Sequence, residues 1–330
     1  MTHQVRQKEE KMIKLANELK QVKSVAIAGH VRPDGDCTGS CLAVYGYIRE
    51  NFPEIEVTVY LESVNPAFAL LCGGEDIETD YTEDRQYDIF LSLDASDKER
   101  LGAALKYFET AGRRICIDHH ITNQGFADEN CIDPKASSTA ELVFGTMEEE
   151  KISQNTAEAL YMGIIHDTGI FQYSNTTQKT MEIAGKLIAK GIDFSRIIDE
   201  TFYQKTYIQN QVLGRALMES ILLLDGKVIM GRMRQKDMEF YGVGPKDLEG
   251  IVNQLRVTKG VQVAIFLHET GNQEYKVSLR SNGPIDVSQV CTYFGGGGHV
   301  KAAGCTMHGT LHDVVNNLTL HIEQQLLQAE

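Results

Sequence analysis

Short apolar runs punctuate the first half of the chain, and segments of helical periodicity separate them. Ser24–Gly29 (SVAIAG), Glu56–Leu61 (EVTVYL), Asp88–Leu93 (DIFLSL) and Arg114–Ile117 (RICI) are rich in Val, Ile and Leu. Such runs read as strands buried on both faces. Helices are predicted over Thr38–Asn51, Lys98–Thr110, Ser138–Lys151, Asn155–His166 and Thr177–Ala189, the last closed by Gly191. Strands alternating with helices imply a mostly parallel sheet flanked by helices. Phe194–Leu224 reads as helices leading out of this first α/β domain. A second strand-rich region follows at Lys227–Met233, Val261–His268 and Glu274–Ser281. After it come a helix near Val287–Tyr293, the run Gly295–Gly298, a helix expected directly behind the glycines, and a last helix from about Leu311.

The expected organisation is therefore a first domain over residues 1–195, a helical linker over 196–216, and a smaller α/β domain over 217–330, with the active site in the cleft between the domains. A length of 330 residues favours two domains over one. No stretch approaches the roughly 18 apolar residues of a membrane helix. The charged N-terminal segment, helical in pattern, lacks the apolar core of a signal peptide. The cytoplasm is the expected location, with no membrane partner.

Seven cysteines, an odd number without CxxC spacing, speak against a disulfide framework or zinc knuckle. They read as reduced packing residues, with Cys37 close to the proposed site. The net charge of −14 and the absence of a basic run argue against a long nucleic-acid tract across the surface. A small phosphate ligand stays open, because local cations can dominate a site.

Four acidic or histidine clusters follow predicted elements. Three lie just beyond strands, where open α/β sheets bind ligands. The first is His30-Val31-Arg32-Pro33-Asp34-Gly35-Asp36. Its imidazole and two carboxylates suit Mn, Fe, Co or Zn better than Ca; alternatively Asp36 or Thr38 caps the next helix. The second is Asp94, with Asp97 as cap of the helix containing Arg100. The third is Asp118-His119-His120, where the acid can orient an imidazole. The fourth is His166-Asp167-Thr168-Gly169 at a helix C-terminus. The helix dipole disfavours an acid there, which suggests a compensating cation; the alternative is an ordinary turn. Ser138 and Glu141 fit a capping box, with support of the site as the second reading.

HVRPDGDCTGS, LSLDASDKERLG, IDHHITN and HDTGIF resemble, in order, the four motifs of the DHH phosphoesterase superfamily. KVSLRS at 276–281 followed by FGGGGHVKAAG at 294–304 resembles the DHH-associated C-terminal domain. The resemblance spans about residues 20–325. It implies two divalent metal ions, usually Mn2+. His30, Asp34 and Asp94 would hold one, and Asp36, Asp94, His119 and Asp167 the other, with Asp94 bridging. It implies that His120 faces substrate, with Asp118 beside it. No role attaches to His166.

In the second domain Arg280, Ser281, Gly296, Gly297, Gly298 and His299 are candidates for phosphate binding. The glycines would expose N–H groups at the N-terminus of the expected following helix, and Arg280 would grip a phosphate through two N–H bonds. Tyr293 and Phe294 either stack on a base or belong to the core.

Within the superfamily, nucleases of long single strands carry extra domains, and membrane cyclic-dinucleotide phosphodiesterases carry transmembrane segments. Manganese pyrophosphatases have a different C-terminal motif. The chain is most similar to the stand-alone bacterial group that hydrolyses short RNA oligonucleotides, di- to pentanucleotides, to mononucleotides and converts adenosine 3′,5′-bisphosphate (pAp) to AMP. The alternatives are a cytosolic linear or cyclic dinucleotide phosphodiesterase, a pyrophosphatase or exopolyphosphatase, and a scaffold with a degenerate site. A homodimer through the first domain is an open alternative to a monomer.

Overall fold

The computed structural model describes residues 13–69 and 73–329. The first part of the charged N-terminal segment, residues 1–12, and Cys72 lie outside the described residues. The chain divides into two compact units, 1–204 and 205–330.

The first unit is built on a parallel sheet: β1 Ser24–Ala28, β2 Glu56–Tyr60, β3 Ile77–Glu78, β4 Ile89–Leu93, β5 Arg113–Asp118 and β6 Glu129–Ile132. Alternation along the strands supplies two cores. Val25, Ile27, Leu91, Leu93, Ile115 and Ile117 enter one, and Ala26, Ala28 and Phe90 the other. That is why these strands read as unbroken apolar runs. β3 and β6 escaped the sequence pattern because they are short edge strands with half-exposed or exposed residues.

The spatial order is β3-β2-β1-β4-β5-β6. The chain leaves β1 toward one edge and returns to β4 on its other side. The ends of β1 and β4 therefore flank the point where the winding reverses, where open sheets form a crevice.

The helix Gly35–Asn51 follows β1 and crosses Gln154–Asp167 at close range. A Cβ on Gly39 would stand 2.5 Å from the Ala159 carbonyl oxygen and 2.8 Å from the Gly163 nitrogen. The helix expected over Lys98–Thr110 is broken: a 3-10 segment, Lys98–Ala104, bends at Gly102 (φ +55) before Leu105–Thr110 continues. The helix expected to reach Lys151 stops at Thr146, and a 3-10 turn covers Glu149–Lys151.

The second unit holds a mixed sheet in the order β11-β12-β10-β9-β8-β7. Its strands are β7 Ile221–Leu223, β8 Val228–Met233, β9 Val263–Gly271, β10 Glu274–Ser281, β11 Gly297–His299 and β12 Ala302–His308. Only β8 and β9 pair in parallel. Helices Val287–Tyr293 and Leu311–Ala329 bury one face against Val277, Leu279, Ala303 and Cys305.

No helix follows the glycine run. Gly297–His299 is strand β11, antiparallel to β12. The glycines serve close backbone packing: a Cβ on Gly296 would stand 2.2 Å from the Gly304 carbonyl oxygen, and Gly298 has φ +145. Among the described residues no helix is long and apolar enough to cross a membrane.

The helix crossing gives a direct test. Gly39→Ala drives its methyl into the backbone of the facing helix, so the helices must separate. A loss of about 1–3 kcal/mol is expected, read as a lower urea midpoint with an unchanged slope.

Candidate active site

The loop after β1 places the first cluster. Asp34 caps Gly35–Asn51, and its Oδ1 accepts from the N–H groups of Asp36 and Cys37, both at 3.1 Å. The cap is thus Asp34, not Asp36 or Thr38. His30 Nδ1 donates to the Val31 carbonyl at 2.9 Å. That bond directs Nε2 to the carboxylates of Asp34 (3.7 Å) and Asp94 (3.5 Å).

Asp36 is fully buried. Its Oδ2 accepts from Thr139 N at 2.6 Å and its Oδ1 from Ala140 N at 2.9 Å, at the start of the helix Thr139–Thr146. The helix N-terminus partly offsets the carboxylate's burial. Burial, and then the neighbouring carboxylates Asp94 and Asp167, still push its pKa up.

Asp94 directly follows β4 in left-handed backbone (φ +56), a conformation that acids and amides tolerate better than most residues. Its Oδ2 faces His30, and its Oδ1 lies 3.7 Å from His119 Nε2 and 3.6 Å from His120 Nδ1. Thr139 Oγ1 donates to Oδ1 at 2.9 Å. Asp97 caps the following turn by accepting from Arg100 N, as its position suggested.

Beyond β5 the two histidines diverge. His119 Nδ1 donates to the Ala136 carbonyl at 3.4 Å, and its Nε2 lies 3.0 Å from Asp167. His120 Nδ1 donates to the buried Asp118 at 2.7 Å. Asp118 also accepts from Asn123 Nδ2 at 2.7 Å. Asp118 therefore sets the tautomer and aim of His120, whose Nε2 is left for a ligand.

Asp36, His119 and Asp167 form one group with donor atoms within 4.8 Å of one another; Asp94, His119 and His120 form a second, and His30, Cys37 and Asp94 a third. Imidazole nitrogens fixed by carbonyls on their far side, facing crowded carboxylates, are the donor set a hard or borderline divalent cation needs. Cys37 fits less well, because burial raises its thiol pKa and a metal requires thiolate.

Without cations the imidazoles carry the compensating charge. Burial alone would lower the His30 pKa, but hydrogen bonds to Asp34 and Asp94 raise it from 6.5 to about 10. His119 is raised to about 10 chiefly by Asp167, again against burial. His120 is raised first by Asp118. Asp167 is raised by burial.

His166, given no role from the sequence, packs beside the loop that carries Asp34. Its ring packs against Gly35, Phe68 and Phe202, and Nε2 lies 3.1 Å from Thr201 Oγ1. Burial lowers its pKa to about 4, so it is neutral.

Sequence reading missed Thr139 and Asn123. Asn123 stands in IDHHITN, one turn after the histidines. Thr139 carries no local signal, because it meets Asp94 only through the fold. The capping box is half formed: Ser138 accepts from Glu141 N, but the Glu141 carboxylate binds Ser137 Oγ (2.7 Å), Thr180 Oγ1 (2.8 Å) and Lys179 (3.1 Å). These bonds brace the helix start that holds Asp36 and Asp94.

In the second unit Arg280 and His299 are both in register with Ala302, on β10 and β11 respectively, and so share one sheet face. Asn253 Oδ1 accepts from Arg280 Nε at 3.1 Å. Ser281 is not with them. It is buried on the other face, and its hydroxyl donates to the Gly283 carbonyl. The Gly296 N–H donates to the Cys291 carbonyl at 2.8 Å and is not presented to a ligand. With no helix behind the glycines, the expected helix N-terminus for a phosphate is absent, and Arg280 and His299 remain as the candidate side chains. Tyr293 is 72% exposed against His321, whereas Phe294 packs onto the core.

A parallel α/β unit with His/Asp clusters at its switch point, joined to a mixed-sheet unit, is the architecture of a metal-dependent hydrolase. Residues 24–164 match the DHH family N-terminal domain, and residues 225–327 match the DHHA1 domain. The chain thus carries a DHH family N-terminal domain followed by a DHHA1 domain. It is 29% identical over 306 residues to the bifunctional oligoribonuclease and PAP phosphatase NrnA of Thermus thermophilus, covering 91% of this chain and 89% of that protein. It is 24% identical over 290 residues to the protein of the same name in Bacillus subtilis, covering 86% and 90%. The crystal structure of an exopolyphosphatase-related protein from Bacteroides fragilis matches with a TM-score of 0.87 and 26% identity over 96% of each chain.

Cation binding should displace protons from His30 and His119. Calorimetry of Mn2+ binding in buffers of different ionisation enthalpy is expected to show net proton release, with affinity rising with pH. In the cation-free protein both imidazoles have folded pKa values above the ordinary 6.5. Their stabilisation is therefore complete below pH 6.5 and is lost as pH rises through about 10. Thermal melts from pH 6.5 to 10 should fall without cation and level out with Mn2+.

Proposed function

We propose that this chain is an Mn2+-dependent phosphoesterase that hydrolyses short oligoribonucleotides, di- to pentanucleotides, to mononucleotides and converts pAp to AMP. The observation that carries the reading is Asp94. It turns one carboxylate oxygen to His30 at 3.5 Å and the other to His119 at 3.7 Å. A carboxylate so placed suits a bridge between two cations. His30, Asp34 and Asp94 would hold one, and Asp36, Asp94, His119 and Asp167 the other. The names of the Thermus and Bacillus relatives support the choice of substrate.

Two divalent cations held by these residues would supply activation of the attacking water and an offset to the charge that builds on the phosphoryl oxygens. The protein's own groups do the rest. His120, whose pKa Asp118 raises, would present Nε2–H to the substrate and give its proton to the departing ribose oxygen as the P–O bond breaks. Asp118 keeps the resulting imidazole aligned and Asn123 keeps Asp118 aligned. Thr139 fixes the rotamer of Asp94. In the second domain Arg280 and His299 would bind a phosphate that is not cleaved.

The test is a substrate panel with Mn2+: pAp, pApA, a pentanucleotide, a long single strand, c-di-AMP and pyrophosphate. Turnover of the first three is expected to dominate. Cleavage of pyrophosphate with pAp and pApA left intact would overturn the reading. Asp94→Ala should lose bound metal and turnover together. His120→Ala should slow turnover by about a hundredfold or more with metal binding retained. Asp118→Asn removes the main cause of the raised His120 pKa. His120 then stays protonated only to a lower pH, so the alkaline limb of the kcat profile should move downward.

A further inference from the structure

His166 lies beside the carboxylate cluster, yet among the described residues it belongs to none of the donor groups there. Its contacts nevertheless bear on Asp34, Asp36 and Asp167. The helices Gly35–Asn51 and Gln154–Asp167 cross on small residues, with Gly39 against Ala159 and Gly163. Gly35 and Gly39 lie four apart on one helix, and Ala159, Gly163 and His166 lie along one side of the other. At the Gly35 end the small residues give way to the His166 ring. A Cβ on Gly35 would stand 2.2 Å from His166 Cγ and 2.5 Å from His166 Cβ, so the ring rests on bare backbone. That backbone joins Asp34, the cap of the helix, to the buried Asp36. The residue after the ring is Asp167.

The ring is pinned by groups from two further segments of the first unit. Thr201 Oγ1 donates its proton to the Ile197 carbonyl at 2.6 Å. At 3.1 Å from His166 it therefore accepts from Nε2–H, which fixes the tautomer and the ring plane. Phe68 meets the ring edge to face, with centroids 4.8 Å apart and planes at 78°. Phe202 covers it at 5.3 Å. Thr201 and Phe202 stand together in the π-helical turn Asp199–Tyr203, which continues the helix Phe194–Ile198. Wide turns of this kind recur at functional sites.

Close-packed contacts transmit a displacement and do not absorb it. A ring wedged at the open end of the crossing therefore fixes the start of one helix against the end of the other. The first carries Asp34 and Asp36, and the second carries Asp167. Asp34 belongs to one proposed ligand set, and Asp36 and Asp167 to the other.

We propose that His166 is a positioning residue: pinned by Thr201, Phe68 and Phe202, its ring holds Asp34 and Asp36 in place relative to Asp167, so that both cation sites fill together. The role rests on the two-cation reading above and deepens it by naming what keeps the two ligand sets in register.

The experiment uses the full chain. Mn2+ binding is followed by calorimetry and by electron paramagnetic resonance, and thermal melts are taken in EDTA. The unaltered protein is expected to bind two Mn2+ and to show an exchange-coupled spectrum as the second one binds. Thr201→Val keeps the side-chain shape and removes the acceptor. It should weaken the second Mn2+ about tenfold or more and replace much of the coupled spectrum by the signal of isolated Mn2+. His166→Ala should do the same more strongly. Thr201→Ser keeps the hydroxyl and should restore native affinity and spectrum.

A purely structural ring predicts a different pattern: lower melts in EDTA, with the affinity and coupled spectrum of the unaltered protein retained in Thr201→Val and His166→Ala. That pattern would overturn the proposal, as would Thr201→Ser behaving like Thr201→Val. A single Mn2+ bound by the unaltered protein would instead strike the two-cation reading itself, a result that no variant is needed to see.

Discussion

The first domain depends on one buried contact: the Asp36 carboxylate against the first N–H groups of the helix Thr139–Thr146. A carboxylate removed from water is costly unless its oxygens are bonded, and here two backbone donors and the Ser40 hydroxyl meet it. The contact locks three helices. Gly35–Asn51 brings Asp36, Thr139–Thr146 brings the donors, and Gln154–Asp167 passes so near that a Cβ on Gly163 would stand 2.8 Å from Asp36 Oδ1. The same helix start supplies Thr139 Oγ1 to Asp94. One docking event thus orients two of the proposed ligands, and the Glu141 network behind it keeps the helix end from moving.

A second constraint is charge density. Asp34, Asp36, Asp94 and Asp167 crowd a space with only His30, His119 and His120 to offset them. Hydrogen bonds within the cluster hold the geometry, but the protonated imidazoles that stabilise it compete with any incoming cation for the same lone pairs. The site is therefore shaped for a positive charge larger than the protein itself provides.

Much of this was legible in the sequence, for identifiable reasons. β1, β4 and β5 are buried on both faces, so they stand out as apolar runs, and His30, Asp94 and His119 follow them directly. Asp118 and His120 were legible as a pair because neighbouring residues after a strand point to different sides. What stayed hidden depends on contacts between distant segments. Thr139 gains meaning only beside Asp94. Gly102 looks helical until its left-handed backbone bends the chain. The residues after Gly295 seemed to begin a helix, yet Gly296 and Gly298 are glycines because β12 lies against them. Ser281 follows Arg280 in sequence but faces the other way, as alternation on a strand requires.

The Asp36–Thr139 bond joins residues 103 positions apart. Contacts of that span form only after long loops close, which makes them late events in folding. As the chain is synthesised from its N-terminus, the first acidic cluster emerges long before the helix that will hold it, and Asp167 emerges later still. A nascent or half-folded chain therefore has the ligands but not the site. The carboxylates and imidazoles come together only in the finished domain, so whatever the cluster binds must wait for the last of these helices to dock.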